Sequence, residues 1–391
     1  MGRPRATSGA TGQDDGPDRD PGWVARMRGR LIDWYERGHR ELPWRAERDP
    51  YRILVSETML VQTTVAAVVP YYERFLARFP TVADLAAADE ATVLKAWEGL
   101  GYYRRARQLH AAARAIVEGH GGVVPGDVEA LRALPGVGRY IAGAVVSFAF
   151  DRPAPIVEAN TQRVLARWLA WGADLKTTAS QARLWRAAER LVPPERPGVF
   201  NQAFMELGAV VCTPKNPSCL VCPVAADCLA RARGLQDTLP VVADRAAPLE
   251  VAEACALVVR EGRILVVQRG PVGLWGGFWE FPTIHLSGAD PAGRSFGDAV
   301  DLAEGVRRLT GVEARVGPAV KTVRFGVTKH RVTLSAHGAE GIGGDPTPGP
   351  GLARVAWEGP EALADRPFGK AGRQLLAWLR AGGLGRADGR G

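Results

Sequence analysis

Four of the five cysteines of this 391-residue chain, Cys212, Cys219, Cys222 and Cys228, fall within seventeen residues. Their pattern is C-x6-C-x2-C-x5-C, and thiolates so close in sequence can converge on one compact soft-metal centre. The spacing is too local for a disulfide framework and points to a metal site in a reducing compartment. Zinc is compatible with it. Structural zinc sites usually pair two short C-x2-4-C knuckles across a longer gap, however, whereas here four ligands run through one loop with a single C-x2-C. That arrangement favours a cubane cluster. Cys255 stands apart and reads as a small buried residue at the start of a strand.

A second constellation is Leu134-Pro135-Gly136-Val137-Gly138-Arg139-Tyr140-Ile141-Ala142. Two glycines separate a helical run ending near Leu134 from another beginning near Arg139. Gly136 and Gly138 permit a tight turn, and the N-terminus of the second helix offers free N–H groups to a phosphate. This is a helix-hairpin-helix pattern, and beside the cysteine loop it points to sequence-independent DNA contact.

These residues need a scaffold, and the periodicity describes it. From Trp23 to about Leu235 apolar residues recur at helical spacing, as in Val65, Val68, Val69, Tyr72, Phe75, Leu76 and Phe79. After Pro240 the pattern turns to short β-branched runs such as Ile264-Leu265-Val266-Val267 between glycine-rich turns. The expectation is a mostly α N-terminal region over 22–235, a linker over 236–249, and an α+β domain over 250–382. Disordered tails are expected at 1–21 and 383–391. A net charge of +8 gives a surface that attracts polyanions. No run of about 18 apolar residues suggests a membrane span, and the polar N-terminus lacks a secretory core. A cytoplasmic, nucleoid-associated protein is expected.

Residues 40–64, with Arg40-Glu41-Leu42-Pro43-Trp44-Arg45 and Ser56-Glu57-Thr58-Met59-Leu60-Val61-Gln62-Thr63, and the later Trp97-Glu98-Gly99-Leu100-Gly101-Tyr102-Tyr103 closely resemble MutY-type adenine DNA glycosylases of the endonuclease III, helix-hairpin-helix superfamily. The cysteine spacing and its flanks, Glu206-Leu207-Gly208 and Cys212-Thr213-Pro214, are similar too. The resemblance spans about residues 23–235 and continues into the second domain. It implies a monofunctional base-excision enzyme that hydrolyses the N-glycosidic bond of adenine mispaired with 8-oxoguanine or guanine. It further implies a [4Fe–4S] cluster on the four cysteines, double-stranded DNA carrying such mispairs as partner, no membrane, and a monomer.

Residue by residue, the resemblance makes Glu57 the acid that protonates adenine, a role that needs a raised pKa in an apolar pocket. Glu158-Ala159-Asn160 stands where the family usually has Asp-Gly-Asn, so Glu158 becomes the carboxylate near the sugar and Asn160 its support. Tyr140 occupies the position at which strand-cleaving relatives carry a nucleophilic lysine. Arg40, Leu42, Trp44 and Glu206 match pocket positions. Gln62 and Tyr102 match the residues that fill the vacated stack and read the partner base, and Lys215 is expected on a phosphate.

Residues 250–382 resemble the Nudix-like C-terminal domain of the same family, notably in Arg263–Arg269 and Leu274–Pro282. Aligned on Gly311, positions that hold metal-binding acids in Nudix hydrolases carry Arg308 and Leu309, so lesion recognition is expected rather than pyrophosphate hydrolysis. Thr328-Lys329-His330 stands where the family usually has Phe-Ser-His, leaving His330 as the candidate lesion contact. Two alternatives remain: a thymine or uracil mismatch glycosylase of the same superfamily, and a lesion-binding protein without catalysis.

Overall fold

The structure is a computed structural model and describes residues 16–242, 247–271, 273–288 and 301–384. The described residues divide into two units, one of residues 16–88 and 104–242 and the other of residues 89–103 and the described residues from 247 to 384. The helices run α1 (Pro21–Arg37), α2 (Pro50–Leu60), α3 (Val65–Arg78), α4 (Val82–Ala87), α5 (Glu90–Ala96) and α6 (Arg104–His120). They continue with α7 (Val128–Arg132), α8 (Arg139–Phe150), α9 (Ala159–Trp168), α10 (Thr178–Leu191), α11 (Pro197–Val210) and α12 (Leu229–Ala232). All but α5 belong to the first unit.

Local chemistry sets where these helices start. Asp49 accepts hydrogen bonds from Tyr51 N at 2.8 Å and Arg52 N at 3.2 Å, and Pro50 fills the first position of α2, the arrangement that an Asp-Pro pair favours. Asp20 caps α1 in the same way. The core of this unit is built from α1, α9, α10 and α11, with Met27, Leu31, Leu184 and Leu207 fully buried. The Trp168 and Phe204 rings stack at its centre, 5.0 Å apart.

Residues 1–15 of the N-terminal tail expected at 1–21 lie outside the described residues, as do residues 385–391 of the tail expected at 383–391. The rest of the N-terminal segment is ordered. Pro17–Arg19 form a 3-10 turn, and buried Asp18 accepts from Arg183 at 3.0 Å and from Arg190 at 2.9 Å. Composition alone hid this, because the partners lie far along the chain.

The second unit holds a seven-stranded sheet. Its strands are β1 (Leu249–Arg260), β2 (Arg263–Arg269), β3 (Trp279–Glu280), β4 (Thr283–Ser287), β5 (Glu313–Val327), β6 (His330–Gly343) and β7 (Leu352–Glu358). The order is β3-β2-β1-β6-β5, with β4 paired to β1 and β7 to β2. The β1 and β6 strands are parallel, with Cys255 opposite Ala336. Alternation places Cys255, Leu257, Ile264 and Val266 on one face with Leu375 and Leu376 of α14 (Lys370–Arg380). Ala254, Ala256, Val258 and Leu265 face the other way, onto Val306 and Leu309 of α13 (Leu302–Thr310). The period of two in the sequence is thus the two-faced burial of one sheet. Cys255 is fully buried in β1, as its sequence context suggested.

The sequence expectation gave all of 22–235 to one helical domain, but residues 89–103 pack with the second unit. Glu98 bonds Arg373 Nη2 at 2.9 Å and Lys95 at 3.0 Å, and the Tyr103 ring lies 4.2 Å from that of Phe278. Helical periodicity identifies α5 but carries no information about which neighbour it packs against.

Candidate active site

Glu57 lies on α2 in a run whose neighbours Ile53, Leu54, Val55 and Met59 are all core, and it is itself 2% exposed. The Tyr140 hydroxyl donates to its Oε2, and Met205 Sδ sits 3.8 Å from the same hydroxyl. Burial, reinforced by the negative charge of Glu158, pushes the Glu57 carboxyl up to about 7, against the opposing pull of the Tyr140 hydrogen bond and the Arg45 charge. Burial and the two carboxylates also raise the Tyr140 phenol well above its usual value, so it remains a donor.

Tyr140 reaches this place because α8 begins at Arg139 with Gly138 as its N-cap. Further along α8, a Cβ on Gly143 would stand 2.3 Å from the Pro155 carbonyl oxygen. Its absence lets the returning chain run against the helix and deliver Glu158. Glu158 is the N-cap of α9, its carboxylate accepting from Asn160 N at 2.8 Å and Thr161 N at 2.9 Å, while Thr161 Oγ1 accepts from Glu158 N at 2.8 Å. Burial raises the Glu158 pKa and these backbone donors oppose the rise. Asn160 Oδ1 accepts from Arg163 Nη2 at 2.8 Å, and the same nitrogen binds the Gly208 carbonyl at 2.7 Å.

On α11, Glu206 accepts from Arg40 Nε and Nη2, both at 2.7 Å, and from Arg45 Nη2 at 2.8 Å. Burial alone would raise this carboxyl, but the bonds from Arg40 and Arg45 hold it near 2. It therefore stays charged while Glu57 is poised near neutrality. Arg45 also lies 5.5 Å from the centre of the Tyr35 ring, against which His39 stacks at 4.1 Å. Trp44 is buried edge-on to Tyr72 at 5.4 Å, and Leu42 precedes it, half-buried, as the N-cap of a 3-10 turn.

Beyond α2 the chain turns through Val61–Thr63. Gln62 is exposed with φ of 60°. Arg105 of α6 donates to Thr58 O at 3.0 Å, to Met59 O at 2.7 Å, to Val61 O, and to Thr63 Oγ1 at 3.0 Å. The glycine hairpin has the expected form: α7 ends at Arg132, α8 starts at Arg139, and Gly136 has φ of 75°. A cavity of about 300 Å³ opens between α2, α6 and this hairpin, lined in part by Thr58, Val61, Arg105, Gln108 and Tyr140. Lys215 is exposed in the turn before Cys219. Tyr102 is 53% exposed with φ of 50°, and it belongs to the second unit, whereas Gln62 belongs to the first.

Cys212, Cys219, Cys222 and Cys228 are all free thiols lining one cavity with Arg167, Trp168 and Arg231. Arg167 Nη1 donates to Cys212 Sγ at 3.2 Å and Arg163 Nε to Cys212 O at 2.8 Å. Among the described residues no three His, Cys, Asp or Glu side chains are drawn together closely enough to hold a metal ion. Four cysteines around one cavity, with the Arg167 guanidinium at the Cys212 sulfur, are a donor set of the soft-metal kind.

In the second unit Val327 pairs with His330 across the β5–β6 turn, which holds Thr328 and Lys329. Thr328 has φ of 51°, and its hydroxyl lies 3.2 Å from His330 Nδ1. Helix α13 ends in Arg308, Leu309 and Thr310 before Gly311, and its Glu304 is bonded to Arg307 at 2.8 Å.

Arg45, Met205 and Arg105 line the site as well, although no local motif marks them. Arg45 stood inside the Arg40–Arg45 run, but its partner is 161 positions away. Among the described residues no helix is long and apolar enough to cross a membrane.

A helical unit with a glycine hairpin, a buried acid and a cysteine loop, joined to an α+β unit, defines a class. The chain carries a domain that matches the HhH-GPD superfamily of base excision DNA repair proteins, over residues 55–190, and a NUDIX domain, over residues 254–378. Within that class it is similar to adenine DNA glycosylases. It is 40% identical to that of Homo sapiens over 68% of this chain and 59% of the human protein, and 38% identical to that of Arabidopsis thaliana over 72% and 51%. A thermostable thymine-DNA glycosylase of known structure aligns at 30% identity and a TM-score of 0.49, covering 54% of this chain and 98% of its own. The chain thus spans between half and about three fifths of the length of the adenine glycosylases it matches.

Proposed function

We propose that the protein removes adenine from duplex DNA where it is mispaired with 8-oxoguanine or guanine, and leaves the abasic strand uncut. The observation that carries this reading is the buried Glu57 with its half-buried partner Tyr140, beside the charge of Glu158. A carboxyl near pH 7 is protonated often enough to donate and acidic enough to give the proton up. Neutral adenine is a poor leaving group, and Glu57 supplies the proton at N7 while Tyr140 orients the carboxyl. As the bond breaks the sugar gains oxocarbenium character, and Glu158, held at the N-terminus of α9, supplies opposing charge without reorganising. Tyr140 has no amine, so no Schiff base forms and the strand stays intact.

Glu206 with Arg40, together with Leu42 and Trp44, forms the base pocket; Asn160 supports Glu158. Gln62 and Tyr102 enter the stack, and Gly136, Gly138 and Lys215 hold phosphates. The helical region over 22–235 performs excision, and the Nudix-like domain over 250–382 reads the oxidised partner through His330. Cys212, Cys219, Cys222 and Cys228 hold a [4Fe–4S] cluster, which when bound supplies a rigid anchor for the loop that carries Lys215. The experiment is base release from duplexes carrying A opposite 8-oxoguanine, A·G, T·G and U·G, assayed side by side. Release confined to the adenine duplexes is expected; release of thymine or uracil overturns the reading.

A further inference from the structure

Gln62 sits in a left-handed backbone conformation, which a non-glycine residue keeps only where its surroundings determine it. The turn that bears it follows α2, whose last carbonyls have no partners inside the helix. Arg105 meets both needs. Its side chain is buried, Nη1 binds the carbonyls of Thr58, Met59 and Val61, and Nη2 binds Thr63 Oγ1 on the far side of Gln62. One planar guanidinium thus spans the turn from both ends, with its charge at the end of α2 where a cation is favoured. One turn along α6, Gln108 lies directly under Gly136, where an added Cβ would stand 2.4 Å from Gln108 Cβ.

We propose that Arg105 is a positioning residue that fixes the turn presenting Gln62, so that base extrusion depends on a group that contacts neither DNA nor the departing base. The inference rests on the reading of Gln62 as the side chain that enters the vacated stack. A lysine cannot replace Arg105 fully, because a point charge does not form a fork across several acceptors. The effect runs through Gln62 and leaves the proton donor Glu57 untouched.

The test uses the full chain with its cluster and compares Arg105→Met, Arg105→Lys, Gln62→Ala and the Gln62→Ala, Arg105→Met double variant. Extrusion is read by fluorescence of 2-aminopurine placed opposite 8-oxoguanine, and chemistry by single-turnover adenine release. The Met variant is expected to lose most of the fluorescence rise and to slow release on the order of 10²-fold, the scale of a small misplacement of a working group. The Lys variant recovers part of both. The double variant is no slower than the slower single one, and the alkaline limb of the pH profile stays in place. Amide exchange supplies a readout without DNA: Thr63 N, bonded to Leu60 O at 3.2 Å, exchanges faster in the Met variant. Additive losses, a displaced pH limb or unchanged Thr63 exchange would overturn the proposal. Should Arg105→Met not fold, Thr63→Val removes one acceptor alone and is expected to show smaller changes of the same sign. An unmodified enzyme that releases no adenine defeats the functional reading, while Thr63 exchange still decides the role of Arg105.

Discussion

The half-buried Tyr140 donates its hydroxyl to Oε2 of the buried Glu57. One bond joins the start of α8, set by the glycine hairpin, to the interior of α2. The hairpin, which on the proposed reading holds the DNA backbone, therefore also places the partner of Glu57.

Glu57→Gln is expected to bind a mispaired duplex and release no adenine, because an amide has no proton to give. The loss should be at least about 10²-fold, the usual scale for a general acid. Duplex binding and single-turnover release, measured together, check it; near-normal release would place the acid elsewhere.

The same carboxyl sets a pH dependence. Burial lifts Glu57 from 4.5 to about 7 in the folded chain, so release should fall as pH rises through about 7. Between those two values the folded state holds a proton that the unfolded state has lost, so stability is fullest below 4.5 and declines as pH rises through the folded value. At about 1.4 kcal/mol per pH unit, the cost reaches on the order of 3 kcal/mol above pH 7. Glu57→Gln should flatten this slope and be the more stable protein at pH 8, as denaturant titrations at pH 5 and pH 8 would show. Tyr140→Phe removes a bond that lowers the Glu57 pKa, and should move the alkaline limb of the activity profile upward.

Parts of this site could be read from the sequence because their chemistry is local. The cysteine loop spans seventeen residues and the hairpin is declared by two glycines, whereas Glu57 and Glu158 stand out only through the family resemblance of the segments that carry them. What could not be read depends on partners distant in the chain. Arg45 and Arg40 meet on Glu206 more than 160 positions away, and Arg105 reaches back over forty positions to the turn after α2. Residues 89–103 read as a helix and a glycine turn, and only packing reveals that they belong to the second unit.

That packing changes what a truncation tests. Removing residues 250–391 would weaken discrimination between 8-oxoguanine and guanine on the proposed reading. It would also strip Glu98 of Arg373 and Tyr103 of Phe278, loosening the segment that carries Tyr102. Arg373→Ala in the full chain is therefore expected to slow adenine release opposite either partner without changing the ratio between them. A changed ratio would show that residues 89–103 also help separate 8-oxoguanine from guanine.

Borohydride should not trap the unmodified enzyme on DNA, and the abasic product should remain uncut until alkali is added. Tyr140→Lys places an amine at the start of α8 beside Glu57 and should gain weak trapping. Trapping of the unmodified enzyme would contradict monofunctional excision.

The most discriminating substitutions fall on Glu158, whose carboxylate caps α9 through Asn160 N and Thr161 N. Glu158→Gln removes its charge and replaces one accepting oxygen by a donor facing an N–H group. Stability should fall by about 1 kcal/mol, the usual value of a cap, and release should slow by on the order of 10²- to 10³-fold, as when one preorganised electrostatic partner is lost. Glu158→Asp separates the two roles. Asp is a preferred N-cap, so stability should hold, but the shorter side chain draws the charge back toward the helix. A shift of about 1 Å can cost on the order of 10²-fold in rate, so the Asp variant should be stable and slow. Denaturation midpoints and single-turnover release of the three proteins decide the matter: a Gln variant as fast as the parent would leave Glu158 a helix cap and nothing more.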